Sequence, residues 1–202
     1  MVTTEGDAVD RLYRATAKPQ LVPVPALWFL CLDGHGNPNT SQAYAAAVQA
    51  LYSVSYAAKF AVKKAGGPAF KVSPLEGLWW AADMSTFLTG DKSEWDWTMM
   101  IRQPDAVTGD LVARLADEVA ATKSMPVAKE LRLISFEEGA AAQVLHVGPY
   151  DTEGPTIARL HEFIQSHGFT LDGRHHEIYL GDPRRSAPER LRTIIRQPYA
   201  AA

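Results

Sequence analysis

A carboxylate and a phenol stand two residues apart in the segment His176–Leu180, HEIYL. The segment is rich in β-branched and aromatic residues and ends at Asp182-Pro183, which predicts a strand followed by a turn. Because successive strand side chains point to opposite faces, Glu177 and Tyr179 share one face, opposite the apolar residues Ile178 and Leu180. Two interpretations fit this pattern: an exposed strand face with Glu177 in water, or a partly buried carboxylate on a pocket wall. We favour the pocket wall, because an internal repeat of the chain predicts a cleft.

Aromatic residues in the first half of the chain are candidates for a second wall. Trp79 and Trp80 are adjacent in a predicted strand, so they face opposite sides and only one of them can line a cleft. Trp95 and Trp97 share one face of the next predicted strand. Core packing is the more frequent role for a tryptophan there, and one of the two is a candidate for the cleft wall. Tyr44 lies on a predicted helix, where it either lines the cleft or packs in the core. Aromatic walls suit flat ligands by stacking and cations by attraction to the ring face.

Other residue types that carry chemistry give weaker signals. Tyr150 follows a Gly-Pro pair at a strand end, where its hydroxyl can reach a cleft or lie on a surface turn. His175 and His176 point to opposite faces of one strand without any metal-ligand spacing beside them, so no metal is expected. Cys31 lies in an apolar strand as inert core. No nucleophilic triad can be assembled, since the chain has no Gly-x-Ser-x-Gly motif.

The composition is that of an ordinary soluble globular protein. Of the 202 residues, 47% are hydrophobic and 21% are charged. A net charge of −3 and a pI near 6.1 give no global field for nucleic acid or for an anionic membrane. The single cysteine excludes an intrachain disulfide and suits a reducing cytoplasm. No signal peptide is expected, because the N-terminus lacks a basic region followed by an apolar run. No membrane span is expected, because no stretch approaches ~20 apolar residues.

Strands and helices alternate along the chain to position these residues. A short helix is predicted near Asp10–Ala17, and three prolines then keep the chain extended. A long helix with its cap among residues 39–41 ends at Gly66, a second spans about 105–123, and a third begins near Pro155. The segments 131–136 and 141–147 are predicted to form a hairpin. The other predicted strands are 26–32, 77–82, 95–101, 176–180 and 191–197.

The two halves of the chain repeat each other. Ile101–Pro104 recurs as Ile195–Pro198, and each copy follows a strand, a glycine-containing turn, a helix and a strand. This order predicts an α+β fold built from a duplicated β-α-β-β unit. Two such units would pair their sheets about a pseudo-twofold axis, with helices on one side and a central ligand cleft. We expect one domain over 1–202, with an extension (1–20), a first repeat with its connecting helix (21–125) and a second repeat (126–202).

Several motifs together resemble a known family. HVGPY with a following Glu, HHEIYLGDPRR and TIIRQP resemble the GyrI-like small-molecule-binding domains, which are tandem SHS2 modules also found as the effector-binding half of the regulator BmrR. KPQLVPVPALWFLCLDGHGNPN and SPLEGLWW are similar to a stand-alone branch of that family. Some members of this branch hydrolyse cyclopropanoid genotoxins of the yatakemycin and CC-1065 type. The resemblance runs from about Tyr13 to Tyr199.

The resemblance implies a pocket with Glu177 as its acidic residue, and three functions remain open. The first is hydrolysis of a cyclopropanoid, in which Glu177 activates water and Tyr150 or Tyr179 supports charge on the carbonyl oxygen. The second is binding of aromatic or cationic small molecules without chemistry. A gyrase-inhibitor-like protein-binding role ranks third. No cofactor, nucleic acid, membrane or protein partner is expected, and the expected location is cytoplasmic. The ligand-binding candidates are Trp79, Trp80, Tyr44, Trp97 and Glu177.

Overall fold

A computed structural model describes residues 5–82 and 92–202 of the chain. Its helices and strands are the elements to which the functional residues are assigned. The helices are α1 (Glu5–Leu12), α2 (Gln42–Lys64), α3 (Gly109–Thr122) and α4 (Gly154–Ser166). The strands are β1 (Gln20–Val24), β2 (Leu27–His35), β3 (Leu75–Trp80), β4 (Asp96–Gln103), β5 (Arg132–Phe136), β6 (Gly139–Val147), β7 (Phe169–Leu171), β8 (His175–Tyr179) and β9 (Arg192–Ala201).

The chain divides into two compact units, one of which interrupts the other in sequence. The inserted unit is Leu27–Phe136, and the terminal unit combines Met1–Ala26 with Glu137–Ala202. Each unit carries its own antiparallel strands and at least one long helix. Within the described ranges, none of the helices combines the length and the apolar character that crossing a membrane requires.

The inserted unit is an antiparallel sheet in the order β3-β4-β2-β5, with α2 against β2 and β4. Ser41 caps α2 by accepting a hydrogen bond from the backbone N–H of Tyr44, 3.2 Å from N to O. Gly66 follows the helix at a φ of +79°, a conformation that glycine adopts without steric cost. The apolar residues of α2 recur at helical spacing and are buried at Ala47, Ala50, Leu51, Val54, Ala58 and Val62.

The terminal unit is an antiparallel sheet in the order β1-β6-β9-β8, and β7 pairs with the far end of β9. Helix α4 packs Leu160 and Ile164 onto Val144 of β6 and Ile195 of β9, all of them wholly buried. Glu177 lies directly opposite Ile195 in the ladder, so the two side chains share a face. The Glu177 face of β8 is therefore the face that carries α4.

The predicted duplication is confirmed by the pairing within each unit. In the inserted unit β4 lies between β2 and β3, and in the terminal unit β9 lies between β6 and β8. The order β2-α2-β3-β4 thus recurs as β6-α4-β8-β9. Gly34 pairs with Trp97, and at the equivalent place the N–H of Gly148 donates to Leu191 O over 3.0 Å. The repeat boundaries 21–125 and 126–202 stay a prediction.

Two local predictions are wrong. The segments 131–136 and 141–147 do not pair as a hairpin, because β5 pairs with β2 while β6 pairs with β1 and β9. Gly139 has a φ of +74°, as a turn residue would, yet the strands on its two sides belong to different units. The first helix lies at Glu5–Leu12 rather than near Asp10–Ala17, and the chain after it runs towards β1. The proline-rich extended segment contains β1, an edge strand where Pro23 is tolerated.

Candidate functional site

Strand β8 presents three polar side chains in a row on the face that carries α4. His175, Glu177 and Tyr179 occupy alternate positions of the strand, so their side chains point the same way. The Glu177 side chain is 13% exposed and that of His175 is 6% exposed. Of the two interpretations of Glu177, the structure therefore supports the partly buried carboxylate rather than the side chain in open water.

Both oxygens of the Glu177 carboxylate face a hydrogen-bonding side chain. Tyr179 donates its hydroxyl hydrogen to Oε2, 2.8 Å from oxygen to oxygen. His175 Nε2 lies 3.1 Å from Oε1. Since an ionised carboxylate only accepts hydrogen bonds, the imidazole carries its proton on Nε2 in this contact. An ionised Glu177 would thus have a donor at each oxygen in a position largely shielded from water, an arrangement that suits a positioned base or the counter-charge of a cation.

Tyr150 joins this group from outside the strand. It begins a short 3-10 helix, Tyr150–Thr152, directly after β6. Its ring meets the ring of Tyr179 edge to face, with centroids 5.6 Å apart and planes at 76°. Tyr150 thus lies beside Tyr179, which contacts Glu177, and Tyr150 is half-buried rather than on an open turn. The catalytic roles of these three residues stay a prediction. We call His175, Glu177, Tyr179 and Tyr150 the carboxylate cluster.

Helix α4 adds His161, which was not predicted from the sequence. Burial lowers the pKa of His161, and nearby His175 lowers it further, against a weaker rise caused by a hydrogen bond with Gln197. His161 is therefore neutral at physiological pH. Within the described chain its Nε2 has no hydrogen-bond partner although that atom is buried. A signal was available, because His161 follows Ile157 by four positions on the packed face of α4.

The inserted unit holds an aromatic cluster of Tyr44, Trp79, Trp95 and Trp97. The Tyr44 ring stacks on Trp79 at 6.1 Å and meets Trp97 edge to face at 5.4 Å. Trp95 meets Trp79 edge to face at 5.7 Å. Trp97 is wholly buried and Trp79 nearly so. Trp79 and Trp97 therefore take the core role that the sequence left open for them, in contact with Tyr44 of α2.

Trp79 and Trp80 face opposite sides of β3, as their adjacency predicted. Trp79 shares the face of α2, because it contacts Tyr44 of that helix. Trp80 packs on the other face against Phe29, Leu78 and Met100. In its own unit Trp79 therefore takes the helix-bearing face, as Glu177 does in the terminal unit. Whether either tryptophan contacts a ligand stays a prediction.

The opposite face of the terminal sheet carries a buried ionic network. Glu138 accepts a hydrogen bond from Arg196 Nη1 at 3.1 Å and lies 3.0 Å from His176 Nδ1, with all three side chains almost fully buried. Arg196 also donates to Gln143 Oε1 and, at 2.8 Å, to the backbone carbonyl of Leu12. The two adjacent histidines thus serve different clusters on different faces. In the described residues no group of three metal-ligating side chains is present.

Two ionisable side chains of the inserted unit are also wholly buried. Glu76 of β3 lies on the Trp80 face, and no sequence pattern marks it, because it stands alone in an apolar strand. Cys31 is also wholly buried, and burial raises the pKa of its thiol, which leaves it protonated. Neither lies on the helix-bearing face that holds Trp79, because the cluster that contains Cys31 packs with Trp80.

The chain is an α+β protein with a duplicated β-α-β-β fold and a largely buried carboxylate on a helix-bearing face. A family model of the GyrI-like small molecule binding domain matches residues 17–199, so the chain belongs to the GyrI-like family. The resemblance seen in the sequence is confirmed. As a member of this family, the chain is a small-molecule-binding domain.

Solved structures show the same relationship. An uncharacterized conserved protein from Listeria innocua is 36% identical, with 95% of this chain and 96% of that chain covered and a TM-score of 0.88. A hydrolase from Listeria innocua is 34% identical over 95% and 96% of the two chains, with a TM-score of 0.83. The C-terminal domain of EcmrR shares the fold at 12% identity, covering 92% and 98%, with a TM-score of 0.59. No curated protein matches the chain.

Proposed function

We propose that this protein binds flat, hydrophobic or aromatic small molecules and hydrolyses electrophilic cyclopropanoid genotoxins, which would make it a detoxifying enzyme. The observation that carries the proposal is the Glu177 carboxylate, 13% exposed and contacted on both oxygens by His175 and Tyr179. The hydrolase from Listeria innocua, 34% identical over nearly the full length, supports hydrolytic chemistry as the reaction class.

The proposed reaction adds one water molecule across a strained ring. Water oxygen attacks the methylene carbon of a cyclopropane fused to a dienone, and the carbon–carbon bond breaks. Its electron pair moves through the ring to the carbonyl oxygen, which becomes a phenol oxygen after taking a proton. Glu177 accepts a proton from the attacking water, and the net change is gain of H and OH. Such a ring opening needs alignment, a base and a hydrogen-bond donor, with no covalent nucleophile.

Tyr179 and Tyr150 are proposed to have different roles in this reaction. The Tyr179 hydroxyl hydrogen is directed at Glu177 Oε2, so this residue orients the base. Tyr150 lies against the Tyr179 ring and is the better candidate to support charge on the carbonyl oxygen of the substrate.

A test of this proposal is to incubate the protein with a duocarmycin-type cyclopropanoid and to measure the mass of the product. The expected product is heavier than the substrate by one water molecule and forms faster than in buffer. Glu162→Gln, which alters an exposed carboxylate on α4, is expected to behave like the wild type. Tight binding without any turnover would contradict hydrolysis.

That outcome would favour the second candidate, a binding module without chemistry. The family to which the chain belongs is defined by small-molecule binding, and the EcmrR C-terminal domain shares its fold. A binding module needs only the counter-charge of Glu177 and an aromatic surface.

A further inference from the structure

We propose that His175 is a positioning residue, which fixes the orientation of the Glu177 carboxylate towards the ligand. The proposal rests on the function of Glu177 as the reacting base. It adds to that function a residue that acts through the Glu177 carboxylate rather than directly on the substrate. The distinction is testable because a positioning residue affects the rate of the chemical step more than the binding of the ligand.

The geometry that supports this role comes from the strand itself. His175 and Glu177 are two positions apart on β8, so their side chains project from the same face of the strand, one pleat repeat apart. His175 Nε2 and Glu177 Oε1 are 3.1 Å apart, with side chains 6% and 13% exposed. Water therefore has little access with which to replace this contact, in contrast to an exposed ion pair.

Two donors on two different oxygens determine how the carboxylate is turned. The terminal torsion of a glutamate side chain has broad energy wells, so one hydrogen bond leaves the carboxylate free to swing. Tyr179 donates to Oε2 over 2.8 Å from the side opposite to His175 along the strand. With a donor at each oxygen, the plane of the carboxylate is fixed. The lone pairs that accept no hydrogen bond then keep a constant orientation, as a positioned base requires.

The surroundings of His175 keep this donor in place. His161 of α4 stands near His175, and its lowered pKa, caused by burial and then by His175, leaves it neutral. Tyr179 on β8 and Tyr150 on the 3-10 helix are further titratable groups linked to the pair by ring and hydrogen-bond contacts, and the buried carboxyl residue Glu153 precedes α4 three residues after Tyr150.

The variants that test this role keep or remove the hydrogen-bond donor at the position of His175 Nε2. Gln places its Nε2 amide near the position of the histidine Nε2, so His175→Gln retains a donor. His175→Phe retains the ring and removes the donor, and His175→Asn retains an amide that ends short of Oε1. We expect His175→Phe and His175→Asn to lower kcat on the cyclopropanoid by about 10- to 100-fold, the cost of a misplaced reacting group, with KM within about twofold. His175→Gln is expected to recover most of kcat.

His176→Gln is the matched control, because His176 points to the opposite face and contacts Glu138. It is expected to lower the stability of the fold and to leave kcat per folded molecule unchanged. Circular dichroism of each variant identifies those that do not fold. If His175→Phe does not fold, His175→Asn supplies the same comparison.

A second measurement requires no turnover. The carboxyl titration of Glu177 is followed by ¹³C NMR and assigned by its absence in Glu177→Gln. Its midpoint is expected to move to higher pH in His175→Phe and His175→Asn, because the ionised form loses a donor, and to move least in His175→Gln. An unchanged midpoint in both loss variants would overturn the positioning role, whether or not the wild type is active. A shifted midpoint with no wild-type turnover would support the contact and reject hydrolysis.

Discussion

The orientation of the Glu177 carboxylate depends on His175 and Tyr179, two positions away on either side in β8. Tyr179 allows this contact to be removed by the loss of a single oxygen atom. Tyr179→Phe removes the hydroxyl that donates to Oε2 and keeps the ring that meets Tyr150. A hydrogen bond to a charged group contributes about 1.5–3 kcal/mol, so we expect turnover to fall by about 10- to 100-fold. The measurement is steady-state kinetics beside Tyr199→Phe, which removes a hydroxyl from a ring stacked on Phe169. Equal losses in the two variants would show that the Tyr179 hydroxyl has no specific role.

Single residues also mark the limit of what the sequence could predict. The pairing of Glu177 with Tyr179 follows from strand alternation alone, and it was predicted. Glu138 was not, because it is buried by residues distant in the sequence, whereas His161 was missed although its helical spacing from Ile157 places it on the packed face of α4. Glu138 stands in a polar stretch that reads as a turn, and only its contacts with His176 and Arg196 explain its burial.

At the scale of elements, β2 and β4 pack tightly where Gly34 pairs with Trp97. The Trp97 ring covers this glycine, and a Cβ added there would overlap Trp97 Cη2. Gly34→Ala is therefore expected to lower the free energy of unfolding by at least about 1–3 kcal/mol, the usual cost of overpacking, because the displaced ring also contacts Tyr44. Urea denaturation measures this change. Gly109→Ala is the control, since nothing lies within 4 Å of its added Cβ. A Gly34→Ala protein as stable as the wild type would contradict the packing of Trp97.

Elements that are determined by local sequence patterns were predicted correctly, whereas the long-range pairing of two strands was not. The long helix, its Ser41 cap and the order of strands in the repeat all follow from periodicity and caps. The partners of β5 and β6 do not, because two strands adjacent in the sequence look like a hairpin whatever their partners are. Their pairing with β2 and β1 is a long-range choice that local signals do not encode.

At the scale of the whole terminal unit, the Glu138 network joins β8, β9 and the residue that ends α1. Burial by itself raises the pKa of Glu138, but the charges and hydrogen bonds of His176 and Arg196 outweigh it and hold the pKa below its ordinary value of 4.5. A carboxyl with a lowered folded-state pKa stabilises the fold above its unfolded pKa, and this contribution is lost as the pH falls through the folded-state pKa. We therefore expect stability to decrease as the pH falls below about 4.5.

Glu138→Gln tests the network directly. It leaves Arg196 buried without its carboxylate, so we expect a loss of about 3–5 kcal/mol at neutral pH and a weaker dependence of stability on acid pH. Urea denaturation across a series of pH values measures both effects. The neighbouring exposed carboxylate is the control, as Glu137→Gln. The same pH dependence in Glu138→Gln as in the wild type would exclude Glu138 as its source.

The central claim is that Glu177 is a base which acts on water rather than a charge that only holds a ligand. The most direct measurement compares wild type and Glu177→Gln for both turnover of the cyclopropanoid and affinity for its flat neutral product. Loss of a positioned base costs about 10²–10⁴ in rate, so turnover is expected to fall by that factor. The affinity for the neutral product is expected to stay within about threefold, because stacking does not depend on the carboxylate charge. Equal turnover by the two proteins would contradict the account.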